Sequence, residues 1–175
     1  MSGKTEKSSW KTKRKKVNNM TPLELKEEFV KRGRTLGCIE SFTGGLFARE
    51  MTRVPGASKF FKGGIVTYAT EIKTRIVGVN ENTVKQFGVV SQECCAEMCG
   101  HGKFLLDVDY CIAFTGNAGP DAMEGKPVGE VYIGVCAYDL ARVQRFQLSG
   151  TRDEIQRQAV NIGITMLETI LQEKN

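Results

Sequence analysis

The stretch R-T-L-G-C-I-E-S-F-T-G-G-L-F-A-R-E-M, residues 34–51, reads as a strand running into a helix. Residues 34–39 read as a short buried strand, and Thr43 to about Met51 reads as a helix that begins with two glycines. Between them lies Glu40-Ser41-Phe42-Thr43-Gly44-Gly45. Such a junction gathers backbone N–H groups and the positive end of a helix dipole at one spot. Glycines there let a ligand approach the backbone closely. A serine at this place can stand beside N–H groups able to hold an oxyanion. The plainer alternative is that Ser41 or Thr43 caps the helix.

The same alternation spreads outward. Thr21-Pro22-Leu23-Glu24 has the form of a capping box with proline at the first helical position. Leu23, Leu25, Phe29 and Val30 supply an apolar stripe, and Gly33 stops that helix. Pro55 to Phe61 reads as a turn and a short helical piece, Ile65 to Ala69 as a strand, and Thr70 to Val77 as a helix with Thr70 as cap and Gly78 as stop. Asn80 and Ser91 cap two further helices, to about residues 86 and 105. Tyr110 to Phe114 is a strand opening onto a glycine-rich loop, Thr115 to Gly129. Val131 to Tyr138 and about Arg142 to Leu148 form a strand pair. Thr151-Arg152-Asp153-Glu154 then opens a helix with apolar positions Ile155, Ala159, Ile162, Met166 and Ile170. Interleaved strands and helices predict an α/β fold, a single layered α/β/α domain with a mainly parallel or mixed central sheet.

Composition bounds the function. With 175 residues, 41% hydrophobic and 26% charged, the chain has the make-up of one globular domain, alone or with a tail. No run approaches the ~20 uncharged apolar residues of a membrane span, and no apolar core follows the first positive charges, so neither membrane nor secretory signal is expected. The net charge of +5 is concentrated in residues 1–19, which hold seven basic side chains and one acid. The remainder carries 18 basic and 19 acidic side chains and is nearly neutral. Residues 1–19 therefore read as a basic, disordered arm ahead of a domain at 20–175. Attachment to nucleic acid or to an anionic surface is the functional reading of that arm. A solvated extension, or a start at Met20, is the plainer one and is favoured, so nucleic acid is disfavoured as a partner.

Cys94, Cys95 and Cys99 with His101 fit no paired zinc-knuckle spacing. They sit at helical spacing in an apolar segment, as small buried hydrophobes do, and no metal is expected. The six cysteines read as reduced thiols of a cytoplasmic protein. His101 is the single histidine and stands between two glycines, so a hydrolase built on this chain would take its base from elsewhere.

Three more places can carry chemistry. In Tyr68-Ala69-Thr70-Glu71-Ile72-Lys73, a lysine of lowered pKa can serve as a base and a tyrosine can relay a proton. The alternative for Lys73 is a solvated surface lysine. Thr115-Gly116-Asn117-Ala118-Gly119-Pro120-Asp121 follows a strand, where ligands of open α/β sheets collect; it is otherwise a long connection. Arg152, in the first turn of the last helix, opposes the dipole, and a guanidinium suits phosphate or carboxylate; it is otherwise an exposed arginine paired with an acid.

Taken in order, these segments resemble the CinA C-terminal domain family, whose characterised members are nicotinamide-nucleotide amidases. The matching stretches are E-S-F-T-G-G from Glu40, V-P-G-A-S from Val54, G-G-I-V-T-Y-A-T-E-I-K from Gly63, Gly78-Val79, G-V-V-S from Gly88, T-G-N-A-G-P from Thr115, P-V-G from Pro127 and the final G-T-R-x-x-I. The likeness spans about residues 20–173. It implies a stand-alone amidase of pyridine-nucleotide salvage that converts nicotinamide mononucleotide to nicotinate mononucleotide and ammonia without a cofactor. It implies Ser41 as nucleophile, Tyr68 and Lys73 as its active-site partners, and Thr43, Gly44, Gly45, Thr115, Gly116 and Arg152 as substrate-binding residues. It admits a homo-oligomer, for which no interface is legible. Phe42, Asn117 and Asp121-Ala122 depart from the family pattern and bear on loop shape. A non-enzymatic nucleotide-binding module is the rival; it would need neither Ser41 nor Lys73.

Overall fold

The computed structural model describes residues 20–173 apart from 139; the basic arm at 1–19 lies outside the described residues. In chain order the elements are α1 (Pro22–Lys31), β1 (Leu36–Glu40), α2 (Leu46–Thr52), a short 3-10 turn (Ala57–Lys59), β2 (Phe61–Val66), α3 (Thr70–Ile72), a π-helical turn (Lys73–Val77), α4 (Glu81–Phe87), α5 (Gln92–Leu105), β3 (Tyr110–Gly116), β4 (Glu130–Ala137), β5 (Leu140–Gln147) and α6 (Arg152–Glu173). The strands form one mixed sheet in the order β2-β1-β3-β4-β5. β1 runs parallel to both β2 and β3, while β3–β4 and β4–β5 are antiparallel.

Two apolar layers sandwich the sheet, as the layered α/β reading expects. Alternate residues of β3 serve the two sides: Tyr110, Ile112 and Phe114 join the core under α1, α2 and α6, and Cys111 and Ala113 join the core under α5. β1 and β3 are buried along their whole length, as the inner strands of a sheet covered on both faces are. Cys94, Cys95 and Cys99 are fully buried on α5 against β3 and β4, and burial pushes the Cys95 and Cys99 thiols well up.

The caps at Thr21, Asn80 and Ser91 form as read, and Thr151 and Glu154 exchange the bonds of a capping box. Three expectations are corrected. The second strand is Phe61–Val66, not Ile65–Ala69. The Gly63-Gly64 pair looks like a breaker, yet it belongs to the strand because β2 passes tight against β1: a Cβ on Gly64 would meet Cys38 Sγ at 2.3 Å. β2 also carries an extra residue, its register with β1 slipping between Leu36 and Gly37, which blurs the period of two. The first α/β helix starts at Leu46 and not at Thr43. Residues 43–45 turn instead, with Gly44 (φ 60°) and Gly45 (φ 96°) in the left-handed region. Finally, Thr70 caps nothing; Ala69 precedes a single α turn that widens into a π turn at Lys73. Such widening recurs at functional sites.

Gly64→Ala is expected to destabilise the domain by about 1–3 kcal/mol through overpacking against Cys38. Urea denaturation checks this, and the double variant with Cys38→Ala should recover part of the loss.

Candidate active site

The site is assembled at the carboxyl ends of β1, β2 and β3. Ser41 follows β1 directly, and its N–H donates to Phe114 O at 3.0 Å, which extends the β1–β3 pairing by one residue. The chain then turns: Gly44 N–H donates to Ser41 O at 3.0 Å. What caps α2 is neither Ser41 nor Thr43 but Glu40. Its carboxyl oxygens accept N–H bonds from Gly45 (3.1 Å), Phe47 (3.1 Å) and Ala48 (2.9 Å). Gly45 stands at the cap position and has no side chain to do this. With the capping done from Glu40, the Ser41 hydroxyl is released for other work.

Lys73 takes up that hydroxyl. Its Nζ lies 2.9 Å from Ser41 Oγ and donates to Thr67 O at 2.6 Å. Thr67 is itself fixed by Glu40, whose carbonyl accepts the Thr67 N–H (2.7 Å) and Oγ1–H (3.2 Å). One residue thus seats both halves of the Ser41–Lys73 pair, through its side chain on α2 and its carbonyl on Thr67. Lys73 is only 1% exposed, so it is not the solvated surface lysine that its residue type alone suggests. Burial lowers its pKa, because the ammonium is poorly solvated there; Cys94 and Glu124 act in the opposite direction. The Cys94 thiol is pushed up to about 11, chiefly by burial.

In front of Ser41 opens a cleft of about 320 Å³, with Phe42, Tyr68, Arg152 and the loop from Gly116 to Met123 in its walls. Tyr68 is exposed, and its hydroxyl accepts from Arg152 Nη2 at 2.6 Å. Arg152 Nη1 donates to Gly119 O, so the guanidinium ties Tyr68 to the loop. Two grooves of comparable volume, one between α2 and α6 and one between β5 and α6, reach neither Ser41 nor Lys73.

Among the residues expected at a site, Ser41, Tyr68, Gly116 and Arg152 line the cleft, and Lys73 stands behind Ser41. Thr43, Gly44 and Gly45 form the turn beneath Ser41 and do not line the cleft. Thr43 Oγ1 is buried without a hydrogen-bond partner among the described residues. Thr115 points its hydroxyl to Val89 O (2.6 Å), so it braces the loop. Asn117 does likewise, accepting from Gly119 N (3.0 Å) and donating to Lys126 O (3.3 Å). Sequence reasoning assigned no role to Glu40 or Thr67. The signal for Glu40 was present: a helix that opens on two glycines needs a cap from outside its own turn.

Glu40→Ala is expected to cost about 3 kcal/mol, since three N–H groups and the start of α2 lose their acceptor together. Denaturant unfolding measures it, and Glu40→Gln, which keeps one acceptor oxygen, should fall between.

The model of the CinA C-terminal domain matches residues 19–171. The chain belongs to the CinA C-terminal domain family. A competence-damage inducible protein of Bacillus subtilis (strain 168) is 39% identical over 151 residues, 86% of this chain and 36% of that protein. The chain spans about a third of the length of the curated relatives it matches. Among solved structures, a CinA superfamily protein from Klebsiella pneumoniae 700603 aligns with a TM-score of 0.85 at 28% identity, over 87% of this chain and 96% of that one. Another from Escherichia coli gives 0.84 at 25% identity, over 86% and 88%. The CinA fold is therefore an α/β domain with a five-strand mixed sheet, here carrying a buried serine–lysine contact at its strand ends. Among the described residues no helix is long and apolar enough to cross a membrane.

Proposed function

We propose that this chain is a serine–lysine amidohydrolase that deamidates nicotinamide mononucleotide. The observation that carries the reading is the 2.9 Å approach of a buried lysine Nζ to Ser41 Oγ at the mouth of a cleft. A buried amine of lowered pKa is the form of lysine that can act as a base. Thr67 O accepts one N–H of the neutral amine and turns its lone pair to the Ser41 O–H.

Ser41 Oγ attacks the carboxamide carbon while its proton passes to Lys73 Nζ. The tetrahedral oxyanion is held by a backbone N–H group. Gly44 N–H is committed to Ser41 O, whereas that of Phe42, which lines the cleft, meets no protein acceptor among the described residues. It is the donor proposed here, worth about 3 kcal/mol in such a role. The Lys73 ammonium then protonates the departing nitrogen, ammonia leaves, and Ser41 is left as an acyl ester. Water attacks that ester with Lys73 again as base, releasing nicotinate mononucleotide and restoring the serine. Lys73 Nζ meets Ser41 Oγ with nothing between them, so the proton moves directly between the two. Arg152 and the loop supply the polar contacts of the cleft to the nucleotide. A non-enzymatic nucleotide-binding module would have no use for the Ser41–Lys73 contact.

Ammonia and nicotinate mononucleotide should appear on incubation of the protein with nicotinamide mononucleotide, at a rate unaffected by a chelator. Binding without release would turn the reading to the module. Release abolished by the chelator would remove the serine–lysine scheme.

A further inference from the structure

Beyond Gly116 at the end of β3, the cleft wall as far as Met123 belongs to a loop, 117–129, that forms no helix or strand. Two oppositely charged side chains near its far end both reach the same short segment after α4. Glu124 accepts the N–H of Val89 at 2.9 Å and that of Val90 at 3.1 Å, one on each carboxyl oxygen. Lys126 Nζ donates to Phe87 O at 3.1 Å and to Val90 O. Both the N–H and the C=O groups of the segment are thus gripped. The fit is close: a Cβ on Gly88 would meet Glu124 Oε2 at 2.3 Å. Glu124 itself sits in the left-handed region (φ 56°), a conformation that persists where surrounding contacts over-determine it. Thr115 binds the same segment from the loop's other end.

We propose that Glu124 and Lys126 are positioning residues that clasp the 117–129 loop onto the 87–90 segment and so set the cleft wall opposite Ser41. In its catalytic consequence this rests on the amidase reading above. Neither residue lines the cleft; both act through the loop that does. The clasp shapes how the nucleotide is held more than how the amide is cleaved, because the Ser41–Lys73 contact is made by other elements.

The test has two arms on the full chain. In amide hydrogen exchange without ligand, Glu124→Gln and Lys126→Met should accelerate exchange at Val89, Val90 and residues 117–126, while β1 and β3 keep their protection. In kinetics on nicotinamide mononucleotide, each should raise KM by about tenfold with a smaller change in kcat, a split that general destabilisation does not produce. Lys126→Arg should restore KM. Unchanged exchange in both variants overturns the clasp. Faster exchange over the whole sheet, or kcat lost with KM unchanged, overturns the positioning role. If wild type hydrolyses no amide, the amidase reading falls and the exchange arm alone decides the clasp.

Discussion

Ser41→Ala is expected to lower kcat for amide hydrolysis by about 10³-fold or more while leaving the fold intact. The size follows from the absence of a substitute. Thr43 is the nearest hydroxyl in sequence, but its Oγ1 is buried and outside the cleft. The fold should survive because the Ser41 hydroxyl contacts Lys73 and takes no part in capping α2, which Glu40 performs. An unchanged denaturation midpoint together with lost ammonia release would place Ser41 in the chemistry. Full activity in the variant would remove the nucleophile from the proposal. Substrate binding, followed by calorimetry, should persist, since the cleft keeps its loop and Arg152.

Lys73→Met should cost a similar factor, about 10³-fold in kcat, because among the described residues no other base meets Ser41. Lys73→Arg separates two roles. Arginine keeps the charge but does not give up its proton near neutral pH, so a base is lost and a purely electrostatic group is not. Loss in both variants identifies the base. The pH dependence carries the same signature. Only the neutral amine accepts the serine proton, so kcat/KM should rise with pH up to the lowered pKa of Lys73 and level off above it. Stability should follow the same group. With the folded pKa below the unfolded one, the unfolded chain binds more protons across the interval between them, so stability rises with pH through that interval. Below the folded pKa the full penalty for a buried ammonium is present. Lys73→Met removes it, and should raise the urea midpoint at acid and neutral pH and flatten its pH dependence. A variant that is both inactive and more stable is what a strained functional site predicts.

Much of this was open to reading in one dimension. The helices at Pro22, Glu81, Gln92 and Arg152 declare themselves through caps and apolar spacing, which are local interactions within a few residues. β1 and β3 declare themselves because central parallel strands are apolar on both faces. β2 did not, because Gly64 answers to Cys38 on the neighbouring strand and the extra residue breaks the alternation. At the site, the ordered motifs of the CinA C-terminal family picked out Ser41, Tyr68, Lys73 and Arg152. Residue type alone would have left Lys73 on the surface and Ser41 as a cap.

The sequence by itself determined the α/β class, the family and the set of side chains available for chemistry, since these depend on composition, spacing and order along the chain. Tertiary structure alone decided which of them meet. Lys73 lies 32 residues from Ser41 and reaches it only because the chain leaves β2 beside β1 and widens into a π turn. Glu40 becomes the cap of α2 because the two glycines after Thr43 turn the helix start back over the strand end. Burial, which lowers the proton affinity of Lys73, belongs to no segment of the chain; it arises when α5 and the strand ends close around one amine.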